Sequence, residues 1–542
     1  MRWIAIHLPQ LPLEVFLRGT PAPEPFAVAD SRGFIIACDR KAALRGIVRG
    51  MAAPAALALA ARLVVRPRDP AAETEAVLGV AAWAAQFTPA VSIALPDGVL
   101  LDVEGSLQLF GGMGNIIAAL QSGLADMGFS ATLAVAPTPL AAAWSALVAV
   151  STPAASATPV TAAGAASARA TGKPPLECER RRVGGPHGAI PAAVHALEPP
   201  QLEAVVAALP LVVLQGTPGI DADALEALRG LGIATLGQVQ ALPRDGVARR
   251  FGQLLLDTLD RSCGRLPDPR TPFRLPERFH AGIELPFEVT QAEALLFAAR
   301  RLLVQLAGFL AARASGVQRI AVRLIHRDAV TEVPIGMVAP SRDSAHFALL
   351  LRERLASLAN SASLREPVRS ITVSAGDIVP LAGERLGLFA DDAVDAIAPG
   401  SWEKLIERLR ARLGTQAVLG LAAADEHRPE RASISAEPDT GQPRPSQLSL
   451  RLPQEALPPG ERPFWLLEEP RPLRELASVP HHEGPLELLA GPERIETGWW
   501  DAGEIARDYF VARSPERSLL WIYRERKALD AEAGWYLHGI FA

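Results

Sequence analysis

The stretch between residues 276 and 389 restricts the possible folds most, because its apolar periodicity predicts a fixed order of strands and helices. That order is β-α-β-β-α-β. After a first strand that begins near Pro276, the predicted elements are a helix at 291–314, strands at 319–325 and 330–338, a helix at 344–358 and a strand at 368–375. A chain with this order folds into one small sheet, with two helices on one face and the other face open.

The open face of that sheet is predicted to carry arginines. Ile320, Val322 and Leu324 alternate with Arg319 and Arg323, and side chains that alternate along a strand lie on opposite faces. The apolar set therefore packs on the helices, and the arginines lie on the open side. Two interpretations of these arginines stay open: a solvated charged surface, or a contact with the phosphates of DNA.

The rest of the chain divides by composition into further domains, so the predicted fold class is an α/β (α+β) multidomain protein. The predicted boundaries are 1–170 for short strands alternating with alanine-rich helices, 205–270 for a helical domain, 276–395 for the β-α-β-β-α-β domain, 396–462 for a helix followed by a disordered linker, and 463–542 for a small aromatic, β-rich module. Residues 151–173 consist mostly of Ala, Thr, Ser and Pro and are expected to form a mobile insertion.

Composition excludes several classes of protein. The three cysteines among the 542 residues are far apart, so the sequence supports neither a disulfide framework nor a zinc site. The N-terminal apolar stretch is interrupted too soon by Pro9 for a signal peptide, and uninterrupted apolar runs stay below the ~18 residues of a membrane span. We expect a soluble protein of the reducing cytoplasm that binds no membrane. The net charge of −5 predicts that any contact with DNA is modest and sensitive to salt.

Two carboxylates lie close together where an apolar strand ends within residues 98–112. Asp102 and Glu104 are separated by one residue, so on one strand they share a face. The first apolar strand offers His7, and no carboxylate precedes Glu14. Two-metal nucleotidyl transfer requires oxygen ligands from more than one strand, converging on cations about 3.5 to 4 Å apart. A neutral imidazole does not replace a carboxylate in such a site.

These two strands resemble the palm of Y-family DNA polymerases, in which the second strand carries adjacent Asp and Glu and the first strand carries an Asp. The resemblance places His7 at the first-strand acid, and Glu104 and Gly105 at the acid pair. It therefore implies a degenerate site with no catalytic residue, no metal and no cofactor. An alternative stays open: a divergent polymerase of low activity that binds Mg²⁺ through Glu104 and the residual acids Glu14 and Asp102.

Two further segments resemble the parts of that family that bind the incoming nucleotide. Within residues 33–51, the resemblance places Arg40 where the family has Tyr and Ala43 where it has Arg. Farther along, it places Pro139 where the family has Lys. The side chains of alanine and proline cannot donate a hydrogen bond to a phosphate. Three separate segments of the resemblance have therefore lost residues that catalysis requires. Arg40 and Lys41 are candidates for partial compensation.

The helical domain and the β-α-β-β-α-β domain resemble the thumb and the little finger of the same family, which hold DNA. The turn at residues 229–233 resembles a helix-hairpin-helix, in which Gly230 and Gly232 leave backbone N–H groups exposed to a phosphate. A glycine that caps an ordinary helix explains the same residues, and both interpretations stay open. Arg249 and Arg250, in a segment that matches thumb sequences, favour the DNA contact.

A short motif in the predicted linker is of the Gln-Leu-x-Leu-x-Phe/Leu type that binds the bacterial β sliding clamp. Its residues are Gln447, Leu448, Ser449, Leu450 and Leu452. A glutamine that bonds a polar subsite and leucines that fill an apolar cleft account for the pattern. A buried edge strand is the alternative, but leucines exposed in a linker otherwise lack a structural reason.

Four phrases narrow the resemblance to the ImuB family, the polymerase-like subunits of a bacterial mutagenesis complex: residues 9–14, 104–112, 427–432 and 491–500. This resemblance implies a non-catalytic adaptor in damage-induced mutagenesis and translesion synthesis. Its implied partners are DNA, the β sliding clamp, the RecA-like protein ImuA and an error-prone C-family DNA polymerase. A plain DNA-binding protein that makes no clamp contact is a third possibility.

Most aromatic residues of the terminal module are expected to lie in its core. Trp499 and Trp500, beside Asp501, are instead candidates for an anchor that binds a partner. The adjacent residues His481 and His482 do not easily face one ion, so no metal site is predicted there.

Overall fold

The computed structural model describes residues 1–94, 96–149, 194–196, 201–217, 220–359, 366–381, 401–436, 462–463, 465–501, 503–526 and 534–541. The chain forms two compact units, Met1–Arg412 and Leu413–Ala542. The clamp-type motif at residues 447–452 and the predicted insertion at 151–173 lie outside the described residues.

The first part of the first unit has the strands and helices of an α/β domain. In chain order they are β1 (Trp3–His7), α1 (Leu11–Leu17), β2 (Phe26–Ala29), β3 (Ile35–Cys38), α2 (Arg40–Ala43), α3 (Ala53–Leu59), β4 (Val64–Pro67), α4 (Pro70–Ala84), β5 (Val91–Ile93), β6 (Gly98–Asp102), α5 (Met113–Asp126), β7 (Thr132–Ala136), α6 (Pro139–Val148) and β8 (Val194–Ala196). Two sheets result, a palm-like sheet in the order β5-β6-β1-β7-β8 and a smaller fingers-like sheet in the order β3-β2-β4. The predicted alternation of strands and alanine-rich helices is confirmed.

Strand β1 lies in the middle of the palm-like sheet. It pairs antiparallel with β6 on one side and with β7 on the other. Side chains alternate along a strand. Ile4 and Ile6 therefore pack with α4 and α5, whereas Trp3 and Ala5 pack with α6. Because helices cover both faces, every residue of β1 is buried.

A helical, thumb-like region follows the palm-like sheet. Its helices are α7 (Leu202–Ala208), α8 (Ala222–Gly230), α9 (Leu236–Gln240), α10 (Arg244–Phe251) and α11 (Gln253–Ser262). Leu225, Leu228 and Leu259 of these helices share one apolar core with Trp144 of α6 and Trp3 of β1. The thumb-like region is therefore packed directly on the palm-like sheet.

The β-α-β-β-α-β order predicted for the little finger is confirmed. Its elements are β9 (Phe279–Val289), α12 (Ala292–Ala312), β10 (Ser315–Ile325), β11 (Val330–Ser341), α13 (Ser344–Ala359) and β12 (Val368–Ala375), after which β13 (Ile378–Pro380) pairs with β10. The sheet order is β11-β10-β12-β9. Helix α12 is long and apolar enough to span a membrane by length and composition alone, but most of it is buried inside this domain. It is a core helix.

The little finger is packed closely against the palm, and two glycines permit that contact. The indole ring of Trp83 on α4 lies between Gly123 on α5 and Gly308 on α12. A Cβ atom on Gly123 would lie 2.0 Å from the ring, and one on Gly308 would lie 2.1 Å from it. Interiors are packed too densely to absorb such overlaps, so side chains at these positions would separate the helices.

A half-buried polar cluster lies at the same contact. The Glu14 carboxylate on α1 accepts a hydrogen bond from the backbone N–H of Ser130 (2.8 Å). Arg18 donates to the carbonyl oxygen of Gly282 on β9 (3.0 Å), which joins the palm to the little finger. Burial raises the pKa of Glu14 to about 7, although Arg301 and Arg18 act in the opposite sense. The carboxyl group is therefore held in a site that disfavours its charged form.

The helix predicted after the little finger is also confirmed, as α14 (Ser401–Leu413). Its Glu407 carboxylate is buried, accepts the backbone N–H of Val338 (2.6 Å) and contacts the ring of His346. Ile406 is buried beside it. These contacts hold α14 on the little finger.

The second unit is β-rich, as predicted. Its strands are β14 (Gly420–Ala423), β15 (Ser433–Ala436), β16 (Trp465–Leu476), β17 (Val479–His481), β18 (Glu487–Thr497), β19 (Ile505–Arg513), β20 (Leu519–Glu525) and β21 (Trp535–Ile540). The main sheet has the order β17-β16-β21-β20-β19-β18, and apolar residues cover both of its faces. Trp521, Trp535, Tyr509 and Tyr523 are buried.

The predicted start of the linker is wrong. Composition places the part of residues 396–462 that follows the helix in a disordered linker, yet β14 and β15 form a hairpin and Arg428 is bonded to Asp501 beside the main sheet. The physical reason is that Arg428 finds its carboxylate partner far along the chain, and composition contains no information about such a pair. Residues up to Ala436 therefore belong to the second unit.

The Glu14→Gln variant is expected to unfold with a flatter pH dependence than the native chain. Because burial raises the pKa of Glu14 to about 7, the folded state binds a proton that the unfolded state has lost. Stability therefore falls as pH rises through this window, by an amount on the order of 3 kcal/mol. Urea unfolding of the first unit between about pH 5 and 8 measures the change, and Glu104→Gln, at an exposed carboxylate, is the control. An unchanged slope in Glu14→Gln would contradict the assignment.

Candidate catalytic site and binding surfaces

His7 lies at the end of β1, where a polymerase of this architecture would hold a metal. Its Nδ1 is 3.2 Å from Thr132 Oγ1, and that hydroxyl donates to the carbonyl oxygen of Ala146 (2.8 Å). Thr132 is therefore the acceptor for His7 Nδ1–H. The other ring nitrogen, Nε2, is 3.3 Å from Asp97 Oδ2.

The acid next to His7 is Asp97, and the prediction that Glu104 and Gly105 occupy this site is wrong. The antiparallel register pairs His7 with Gly98 and Trp3 with Asp102. The two pairs are four residue steps apart along β1, or roughly 13 Å. Glu104 lies beyond the far end, with its carboxylate 3.8 Å from the terminal amine of Met1.

The sequence carries one local signal that points to Asp97, a turn between two apolar runs. Pro96, Asp97 and Gly98 stand between two apolar runs, and such a triplet is typical of a tight turn between strands. A hairpin there places Asp97 at the end of β6 that adjoins His7. A comparison of short motifs misses Asp97, because it does not take strand direction into account. Strand β6 runs antiparallel to β1, so the start of β6 lies beside the end of β1.

The remaining acids considered for a divergent polymerase do not gather. Asp102 Oδ1 accepts the backbone N–H of Glu104 (3.2 Å), and the Glu14 carboxylate on α1 accepts the backbone N–H of Ser130. Across the described parts of the chain, no three His, Cys, Asp or Glu side chains stand close enough together to hold a metal ion. The alternative of Glu104, Asp102 and Glu14 as a shared metal site therefore has no geometric support.

Gly98 stands opposite His7, and its backbone leaves no room for a side chain. A Cβ atom built on it would lie 2.3 Å from the carbonyl oxygen of Ala94. That obstacle is backbone, so it does not rotate away as a flexible side chain does. A second carboxylate at this position would require the turn between β5 and β6 to move.

Two of the three positions that the resemblance assigns to nucleotide binding carry no phosphate donor. Ala43 ends α2, and Pro139 begins α6. The Lys41 ammonium donates to the carbonyl oxygens of Ala22 (2.7 Å) and Pro23 (2.9 Å), so it is engaged in the fold. Arg40 is exposed at the start of α2 and remains a candidate for compensation.

The turn after α8 is a helix cap, and the prediction of free backbone N–H groups there is wrong. Gly230 is still helical, and Gly232 has φ +78°. The Gly232 N–H donates to the carbonyl oxygen of Arg229 and that of Ile233 donates to Leu228. This pair of bonds is the Schellman motif, which satisfies the end of a helix. These amides are therefore not available to a phosphate.

The arginines predicted to contact DNA are all exposed, but they differ in whether a carboxylate pairs with them. Arg249 and Arg250 are exposed at the end of α10, where Arg250 lies over the Phe251 ring. Arg319 and Arg323 are exposed on the open face of the little finger, as the alternation predicts. Arg323 is paired with Glu332 on the adjacent strand (2.8 Å), which neutralises part of that face.

The two candidate anchor tryptophans lie in the loop after β18. Trp499 is 77% exposed and Trp500 is 57% exposed, and their rings meet edge to face with centroids 5.4 Å apart. Asp501 beside them accepts hydrogen bonds from Arg428 and Arg431. The structure therefore presents both rings to solvent on a loop that ion pairs hold in place.

Comparison with known proteins identifies relatives for nearly the whole chain. The family model described as the impB/mucB/samB family matches residues 16–146. Protein ImuB from two strains of Caulobacter vibrioides, NA1000 / CB15N and ATCC 19089 / CIP 103742 / CB 15, is 30% identical over 525 residues, which cover 92% of this chain and 100% of the relative.

Solved structures of lower similarity include a Dbh ternary complex, with 16% identity and a TM-score of 0.36, and DinB from Sulfolobus solfataricus, with 17% identity and a TM-score of 0.34. Each covers 70% of this chain and is itself matched over 100% of its length.

We expect Gly98→Ala to destabilise the first unit and Gly105→Ala to leave it unchanged. The added methyl group at Gly98 meets the Ala94 carbonyl oxygen, whereas nothing lies within 4 Å of a Cβ on Gly105. The expected losses of unfolding free energy are about 2 kcal/mol for Gly98→Ala and within ~0.5 kcal/mol for Gly105→Ala. Urea unfolding of both variants is the measurement. Equal stabilities would show that the turn at Gly98 is not closed as described.

Proposed function

The chain belongs to the ImuB family, and from that premise we propose that it is a non-catalytic, Y-family polymerase-like adaptor in DNA damage-induced mutagenesis and translesion synthesis. As such it joins the β sliding clamp, the RecA-like protein ImuA and an error-prone C-family polymerase at damaged DNA in the cytoplasm. Its palm, fingers, thumb and little finger then serve as a scaffold for the assembly.

The observation that carries the proposal is the chemistry around His7. A two-metal centre uses several anionic oxygens from both strands. Here the end of β1 offers an imidazole, the facing position is Gly98, and the nearby Asp97 carboxylate already contacts His7. A single paired carboxylate is a poor ligand set for two hard divalent cations.

The clamp contact is proposed on the sequence of residues 447–452, and the partner contact on the exposed Trp499 and Trp500. Large aromatic residues that lie outside a core are the side chains that most often dominate protein interfaces. The two segments do not overlap in sequence, and we propose that they bind different partners.

DNA contact is proposed to be weak and to depend on Arg249, Arg250 and Arg319. The pairing of Arg323 with Glu332 and the net charge of −5 reduce the attraction for phosphates, which is the main source of DNA affinity. Most of the residence time at DNA is then supplied by the partners.

A primer-extension assay tests whether the chain is catalytic. We expect no nucleotide addition with Mg²⁺ or Mn²⁺ above the level of an Asp97→Ala variant, because the site offers too few anionic ligands. An active Y-family polymerase assayed in parallel is the positive control. Extension by the native chain that is lost on changing Asp97, Asp102 or Glu104 to Ala would establish the alternative, a divergent polymerase.

A clamp-binding assay tests the motif. Changing both Gln447 and Leu450 to Ala is expected to weaken binding to the β sliding clamp by about tenfold or more, because both anchoring side chains are lost. Arg451→Ala, at a position that the motif leaves free, is the matched control and is expected to bind like the native chain. Equal binding by all three chains would remove the clamp assignment.

A further inference from the structure

The loop that carries Trp499 and Trp500 is folded around one buried guanidinium group. Arg428, whose side chain is 4% exposed, donates from Nη1 to Asp501 Oδ1 (3.0 Å) and from Nη2 to Asp501 Oδ2 (2.7 Å). Nη1 also reaches the carbonyl oxygen of Gly503 (3.2 Å), and Nη2 reaches Glu426 (2.6 Å). This two-pronged pairing fixes the carboxylate in orientation as well as in distance.

The backbone on both sides of the tryptophans converges on the same group. The Gly503 N–H donates to Asp501 Oδ1 (3.0 Å). At the other end, Gly498 has φ +82°, and a Cβ atom on it would lie 2.5 Å from the Gly503 carbonyl oxygen and 3.0 Å from Arg428 Nη1. Gly498 and Gly503, which flank the tryptophans, therefore lie close together beside the Arg428 guanidinium group, whereas the two indole rings are exposed.

We infer that Arg428 is a positioning residue, which holds Trp499 and Trp500 in one arrangement for an apolar pocket on a partner protein. The inference rests on the proposed adaptor function. A side chain ordered before binding loses less conformational entropy on binding, so a fixed loop raises affinity without adding a contact. Arg428 itself touches no partner, since it is buried within its own unit.

The exposure of these rings is shared with Trp465, which is 70% exposed, and is unlike that of the two core tryptophans of the same unit. Trp521 and Trp535 are 2% and 6% exposed and build the core. Trp499 and Trp500 contact each other edge to face, a favourable geometry for aromatic pairs, and leave most of their surface to solvent. Core packing therefore does not account for them.

The charges around the loop favour a protein over nucleic acid. Arg428 and Arg431 are both bonded to Asp501, and Arg428 is also bonded to Glu426. Sites that stack the bases of single strands place their aromatic residues in a positively charged groove. Here the neighbouring cations are paired with carboxylates, and the Arg428 contact keeps the pKa of Asp501 low, at about 2, so that group stays anionic.

The test compares full-length variants in binding to the ImuA-type partner, the C-family polymerase, the β sliding clamp and a labelled single-stranded oligonucleotide. The variants are the double change of Trp499 and Trp500 to Ala, Arg428→Met, Asp501→Asn, and Arg431→Met as the matched control. We expect the Trp double variant and Arg428→Met to lose about tenfold or more in affinity for either the ImuA-type partner or the C-family polymerase, with clamp binding unchanged. Arg431→Met is expected to stay within about twofold, because it bonds Asp501 from the exposed side.

Near-ultraviolet circular dichroism reports the arrangement of the two indole rings directly. It therefore distinguishes a loss of ring positioning from the loss of a single contact with the partner. In Arg428→Met and Asp501→Asn the signal of the tryptophan pair should fall towards that of the Trp double variant, with clamp binding and the unfolding transition retained. If Arg428→Met fails to fold, Asp501→Asn decides, because Arg428 keeps Glu426 as its counter-charge there.

Three results would overturn the inference. Native affinity in both Arg428→Met and Asp501→Asn, with loss in the Trp double variant, would show that the rings need no positioning. Native affinity in the Trp double variant would place the partner surface elsewhere, with the adaptor function intact. Loss of oligonucleotide binding alone would assign the rings to nucleic acid. Failure of the native chain to bind any of the protein partners is a different result, which rejects the proposed function itself.

Discussion

Strand β1 is bonded on both edges and buried on both faces, and the first unit is assembled around it. Ile4 and Ile6 pack in the apolar core that contains α4 and α5, whereas Trp3 and Ala5 pack in the core that contains the thumb-like helices. The antiparallel register with β6 then decides what stands beside the last residue of the strand. Because that residue is His7, the chemistry of the site follows from one hydrogen-bonding register.

The packing of the little finger on the palm gives this unit its second constraint. Trp83 is enclosed between glycines of α5 and α12, and Glu14 and Arg18 are half-buried at the same contact. Burying charged groups is unfavourable unless they are paired or bonded. A contact that combines close packing with half-buried polar groups is specific, since small displacements lose both. It suits a scaffold whose parts keep fixed positions.

The second unit depends on pairs that are remote in sequence. Arg428 precedes the main sheet, yet its guanidinium group organises a loop between β18 and β19 through Asp501. Glu430, from the same segment, reaches Arg507 on β19. The hairpin of β14 and β15 therefore belongs to the same folded body as the sheet, although its composition is that of a linker.

The sequence by itself determined the strand and helix order of the little finger, the open-face arginines, the tryptophan pair and the histidine at the end of β1. These follow from periodicity and from residue type, which are local properties. Only the tertiary structure decided that Asp97 rather than Glu104 lies beside His7, that Gly232 caps a helix, and that Arg428 supports the tryptophan loop. Each of these depends on which distant groups meet, through strand register, hydrogen-bond competition or ion pairing, and a linear sequence does not contain those distances.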